Sequence, residues 1–285
     1  MECPLLVWML FLNREMTSEE YERCYQTVQT CVPHSRVPSA PTNPETMRQV
    51  VAHMLPLLMM RHRRIPRAKW RDQISPNGKH YIEQDVDSAM HPANRLRAMI
   101  GYHLCYDNNV VGMVMTQGRM KDVVNVGLGV KQLCVFPPEA TVAAYAESFH
   151  HKLTPLEQSF IAPGEPDDVI LRRLCLLLAL KQAYIKAIGQ PMGFDWTRLE
   201  FNIPGEACTG DGLPLQGWEF RVWQAQIGIT RNGTVIEEVY QCAVAFFRGT
   251  RDTKFIWQKD VKDLESWVQF INLDQLVNVV PKLTD

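Results

Sequence analysis

The stretch Leu180-Lys181-Gln182-Ala183-Tyr184-Ile185-Lys186-Ala187-Ile188-Gly189 decides how the chain is read. It closes the strongest helical pattern in the sequence, residues 168–188, which Gly189 and Pro191 terminate. Lys186 follows Gln182 by four residues, so the two side chains share one helix face. Upstream, Thr154 with Glu157 three residues on forms a capping box for a short helix over 155–162, and Pro163 to Asp167 forms a loop. A further helix is expected over 138–151, with His150 and His151 at a solvated end, because adjacent helix residues point apart. Downstream, strands are expected near 196–203, 217–227, 234–238 and 239–248. Trp218, Phe220 and Trp223 are read as sheet core, and a last helix at 261–271 aligns Leu264, Trp267, Val268 and Ile271.

The first part of the chain follows a similar order. Leu5 to Leu12 reads as a buried strand, because the apolar run is short and Glu2 stands where a leader peptide would carry basic residues. A helix over 17–30 takes Thr17 or Ser18 as its cap. The proline-rich residues 32–44 form a loop. A second helix, 45–63, is expected to kink or split at Pro56 while Leu55, Leu58 and Met59 face the core. Strands follow at 70–74, 79–82, 98–104, 110–117 and 123–133, with turns at Ser75-Pro76-Asn77-Gly78 and Asp107-Asn108-Asn109 and a polar loop over 84–95. Helices followed by antiparallel strands occur twice, which implies an α+β chain of two halves, 1–125 and 126–285.

The chain has 285 residues, 46% hydrophobic and 21% charged, with a net charge of −1. That composition supports a sizeable core and offers no basic field for nucleic acid. Nothing reaches the apolar length of a membrane span. The eight cysteines contain no CxxC pair and sit mostly in apolar runs, so they read as buried thiols of a reducing, cytoplasmic compartment.

The segment 180–189 resembles the helix motif W-x-x-K-E-A-x-x-K-x-x-G of 4′-phosphopantetheinyl transferases of the surfactin-synthetase-activating type. Four further pieces fall in the family's order. Asn77-Gly78-Lys79 resembles its G-K-P loop, and Gly101-Tyr102-His103 lies where the family has a Ser-His pair. Val126-Gly127-Leu128-Gly129-Val130 resembles V-G-I-D-V, and Phe149 to Glu157 resembles F-x-x-x-L-T-x-x-E. Together they span most of residues 5–250, and Arg64-Ile65-Pro66 is similar to the long fungal-type members.

The resemblance implies two pseudo-symmetric halves, each packing helices on a small antiparallel sheet, with coenzyme A at the seam and an acyl or peptidyl carrier domain as partner. It implies a monomer, and a place in specialised-metabolite (polyketide or nonribosomal peptide) biosynthesis. In the family, magnesium is held by acidic side chains against the diphosphate, and a carrier serine takes the 4′-phosphopantetheine arm. Lys79, His103, Lys181 and Lys186 match positions expected to contact coenzyme A, and Lys186, His103 and Lys131 are the candidates for catalytic work.

The departures fall on the metal. Gly129 replaces the motif's Asp, Lys131 stands where an acidic residue is expected two positions later, and Gln182 replaces the Glu of K-E-A. Magnesium requires hard oxygen donors, usually carboxylates. Like charges at ~4 Å cost about 4 kcal/mol at an effective dielectric near 20, so Lys131 repels the ion. Magnesium is therefore not expected at the family site. Tyr102 replaces the serine before His103, and its phenol is expected either to block a narrow nucleotide slot or to stack on a base. Three readings follow. One is a diverged transferase kept for ligand or carrier binding, or for metal-free chemistry. The second is a working transferase in which Lys131 replaces the metal. The third is a non-enzymatic synthase partner.

Overall fold

A computed structural model describes residues 4–32, 34–85, 99–190, 192–231 and 233–284. Most of the expected loop at 84–95, together with Cys3, Pro33 and Pro191, lies outside the described residues. The chain is α+β and divides into two compact units, each discontinuous in sequence. One holds Met1–Val124, Ile227–Glu237 and Lys262–Asp285; the other holds Asn125–Gln226 and Glu238–Val261. The expected halves are linear, whereas residues 227–237 and 262–285 lie in the first unit.

The first unit is built on a six-stranded sheet. Its strands are β1 (Leu5–Phe11), β2 (Trp70–Ile74), β3 (His80–Gln84), β4 (Met99–Asp107), β5 (Val110–Gly118) and β13 (Val268–Asn272), in the order β13-β1-β5-β4-β3-β2. β1 is antiparallel to β5 and parallel to β13, with Val7 opposite both Val114 and Val268. Two helices, α1 (Ser18–Cys31) and α2 (Pro44–His62), pack with the sheet around Leu10, Val28, Val51, Leu55, Met59 and Met113. The Thr17 hydroxyl accepts from Glu20 N while the Glu20 carboxylate accepts from Thr17 N, which starts α1 where the sequence places its cap.

Two expectations are corrected here. Helix α2 is not split at Pro56: it continues through that proline, which is buried along with Leu55 and Leu57, so packing carries the helix past the missing hydrogen bond. The expected last helix at 261–271 is instead a helical turn, Val261–Glu265, followed by β13. The spacing of Leu264, Trp267, Val268 and Ile271 fits a helical face, but the edge of β1 needs main-chain partners and β13 supplies them. Asn272 then caps a short helix, Leu273–Val279, which was not foreseen.

The second unit carries most of a four-stranded sheet of β6 (Val126–Gln132), β10 (Trp218–Arg231), β11 (Thr234–Phe247) and β12 (Lys254–Trp257), in the order β12-β10-β11-β6, while the strand ends 227–231 and 234–237 are counted with the first unit. The strands expected at 234–238 and 239–248 are one strand, β11. A three-stranded sheet of β7 (Leu199–Asn202), β8 (Ala207–Gly210) and β9 (Leu213–Pro214) accompanies it. The expected helix at 138–151 shrinks to α3 (Val142–Glu147), because Thr141 accepts from Ala144 N and so sets a late start, and to a 3-10 turn at His150–Lys152. α4 (Pro155–Ser159) opens on the Thr154–Glu157 capping box. The long helix α5 (Asp167–Ala187) packs along β6. Trp218, Phe220 and Trp223 are buried, as expected. The described cysteines form no disulfide, and all but Cys134 are buried; burial pushes the Cys24 and Cys208 thiols up to about 12.

Candidate functional site

Strand β6 lies so close to α5 that its glycines are a steric requirement. A β-carbon at Gly129 would stand 2.0 Å from the Ala179 carbonyl oxygen, and one at Gly127 would stand 2.2 Å from that of Ala183. Alternate strand residues share a face, so Gly127, Gly129 and Lys131 are on one side of β6 while Val126, Leu128 and Val130 are buried on the other. The helix answers with small residues at every fourth position, Ala179, Ala183 and Ala187. Gln182 completes the contact: its amide oxygen accepts from Val130 N at 3.1 Å, between Gly129 and Lys131.

These three positions do not fit a magnesium ion. Gly129 has no donor, and the backbone of α5 fills the space where a side chain would begin. The Gln182 oxygen is committed to a main-chain N–H. Lys131 brings positive charge, and a second lysine reinforces it. Burial, followed by repulsion from Lys131, lowers the pKa of the Lys152 ammonium. Lys152 stands over the rings of Trp196 and Phe149, at 5.0 and 5.3 Å from their centroids. Lys186 is half-buried in the last turn of α5.

The expectation that Lys181 contacts a ligand is corrected. Its side chain is fully buried, and its ammonium lies 2.6 Å from Glu157 Oε2. The same nitrogen donates to the carbonyls of Lys152, Trp196 and Leu199 at 3.0, 2.8 and 2.5 Å. With four acceptors around three N–H groups, nothing remains for a phosphate. Glu157 in turn accepts from Thr154 N and Phe201 N. Burial pushes the Glu157 carboxyl up and the Lys181 ammonium down, and their mutual attraction opposes both shifts. The pair ties α4, α5 and β7 together. The sequence reading took Glu157 as a cap and as the end of the F-x-x-x-L-T-x-x-E run, but not as the partner of Lys181.

In the first unit, Lys79 follows the turn Ser75–Gly78, where Gly78 has φ +72° and Ser75 Oγ accepts from Lys79 N. The Lys79 side chain is only 3% exposed. Tyr102 and His103 are neighbours on β4 and so face opposite sides of the sheet. His103 is half-buried. Tyr102 is buried in the core and donates to Asp72 Oδ2 at 2.7 Å, so it neither blocks a slot nor stacks on a base. Around that hydroxyl lie Asp72, His80 and His34, a group the sequence gave no reason to assemble. His150 and His151 are exposed, in keeping with a solvated end.

One unit packs two helices with a sheet, and the other lays a long helix along a glycine-bearing strand, so the chain is α+β. No family model matches the chain. It is similar to "4′-phosphopantetheinyl transferase pptA" of Paxillus involutus, 26% identical over 225 residues that cover 76% of this chain and 81% of that protein. That likeness agrees with the motif resemblance to 4′-phosphopantetheinyl transferases. Among the described residues, no helix is long and apolar enough to cross a membrane.

Proposed function

We propose that this protein is a diverged member of the 4′-phosphopantetheinyl transferase superfamily that engages coenzyme A, an acyl-pantetheine or a carrier domain without magnesium-dependent transfer of the pantetheine arm. The observation that carries the reading is Gly129, whose place against Ala179 leaves no room for the carboxylate that the superfamily motif puts there. Lys131 and Lys152 supply the positive charge that an anionic diphosphate would meet instead of a metal. Lys79, His103 and Lys186 are the remaining residues proposed to contact the ligand. Specialised-metabolite biosynthesis on carrier proteins, by a cytoplasmic monomer of two pseudo-symmetric halves, is part of the same proposal.

The test is direct. Purified protein is incubated with an apo carrier domain, coenzyme A and magnesium, and the carrier is weighed by mass spectrometry. The proposal expects no gain of a phosphopantetheine. A magnesium-dependent gain overturns it.

The proximity of Lys131 and Lys152 favours a second reading, in which transfer persists without metal. The carrier serine oxygen would bond to the β-phosphorus as the bond to the α-phosphate oxygen breaks. The serine proton would pass to a neutral His103 imidazole, and 3′,5′-ADP would leave with the electrons of the broken bond. Positioning and charge supply much of what such a reaction needs. This reading expects transfer that survives chelator and is lost in Lys131→Ala; transfer that requires added magnesium excludes it.

A further inference from the structure

Away from β6 and α5, the first unit gathers a different set of donors. Asp72 lies mid-strand on β2, His80 begins β3, and His34 sits in the segment after α1. The pairing of Ile74 with His80, and of His80 with Tyr102, brings β2, β3 and β4 together at this point. One ligand atom each from His34, Asp72 and His80 lies within 4.8 Å of the others. His34 Nε2 is 3.4 Å from Asp72 Oδ2, and His80 Nδ1 is 4.0 Å from Asp72 Oδ1.

We propose that His34, Asp72 and His80 bind one divalent first-row transition ion of the zinc class. Zinc at ~2.0–2.2 Å from nitrogen and oxygen donors holds them roughly 3.3 Å apart, so the three groups need only a small inward closure. Two imidazoles and a carboxylate suit zinc or iron(II); magnesium prefers an oxygen set.

Independent features support a ligand here. Asp72 Oδ1 and His34 Nε2 are buried and make no hydrogen bond among the described residues, although the Asp72 side chain is only 4% exposed. Buried polar atoms of that kind are costly unless something satisfies them. The Tyr102 hydroxyl donates to Asp72 Oδ2 and so fixes the carboxylate, the orienting role that outer partners play around metals. The ion would fasten the segment after α1 to the β2 edge of the sheet.

The probes are zinc, by calorimetry, and cobalt(II), by visible absorption, added to the chelator-treated full chain. The expected result is one ion per chain, a four-coordinate cobalt band that zinc abolishes, and a melting temperature that zinc raises. His80→Ala and His34→Gln should lose the band and the thermal shift. Tyr102→Phe, which removes only the hydroxyl, should weaken zinc binding about 10-fold. His151→Ala, on the exposed 3-10 turn, should change nothing. Absence of zinc binding by the parent chain overturns the proposal whatever the variants do. So does a cobalt band that survives in both His80→Ala and His34→Gln.

Discussion

Restoring the superfamily's carboxylate at position 129 should damage the fold before it helps any metal. In Gly129→Ala, the new β-carbon falls 2.0 Å from Ala179 O and 2.8 Å from Ala179 C, where ordinary contact begins at 3.4 Å. Both atoms belong to the backbone of α5, so no side chain can swing aside. The helix must retreat by more than an ångström along β6, and Gly127 against Ala183 holds it in the same way one turn on. Overpacking a close-packed core costs roughly 1–3 kcal/mol, and a clash with helix backbone belongs at the top of that range, so Ala should cost about 3 kcal/mol. Asp adds a polar group facing a carbonyl oxygen, a further ~1–3 kcal/mol. The assay is urea unfolding followed by tryptophan fluorescence, with Gly228→Ala as control. That glycine is exposed and its β-carbon would meet only Val235 Cγ1, at 3.3 Å, so a change within about 0.5 kcal/mol is expected. Gly129→Asp as stable as the parent, or with stability raised by magnesium, would refute the steric argument.

Lys181→Ala should destabilise the chain by about 3–5 kcal/mol in the same assay, because it strands a buried carboxylate; adding Glu157→Gln should recover part of the loss, and a merely additive double variant would show that the two groups are not coupled. Gln182→Glu should cost less than about 1 kcal/mol, since a carboxylate oxygen can still accept from Val130 N, and it should leave calorimetric titrations with magnesium flat. The hydrogen bond from Arg14 is the main cause holding Glu20 below its ordinary value of 4.5, at about 2, so its folded form stays charged where the unfolded form takes a proton. Its stabilisation is complete above 4.5 and fades as the pH falls toward about 2, so unfolding midpoints across that window should drop less steeply in Glu20→Gln than in the parent.

The sequence was readable where periodicity and local chemistry agree. The capping box at Thr154–Glu157, Thr17 as one of two candidate caps for α1, and the extent of α5 follow from residues a few positions apart. It was opaque where a distant partner decides. Residues 268–272 carry apolar spacing that suits a helix, and only β1, far away in sequence, makes them a strand. Lys181 illustrates the limit at the candidate site. Its motif position pointed to a ligand, yet Glu157 and three carbonyls enclose it, and no local spacing announces them. Gly129 is the reverse case: the missing carboxylate was evident from the motif, but its physical reason, the Ala179 backbone, was visible only once strand and helix were seen together. The histidines at 34 and 80 meet Asp72 through sheet register, which nothing in their spacing encodes.

The account stands or falls on whether a divalent cation has a part in ligand binding beside β6 and α5. Calorimetric titration of coenzyme A into the chelator-treated protein, repeated with saturating magnesium, measures this. The prediction is one affinity in both titrations, weakened alike when Lys131 is replaced by alanine. Coenzyme A binding that appears or sharpens only when magnesium is supplied would contradict it.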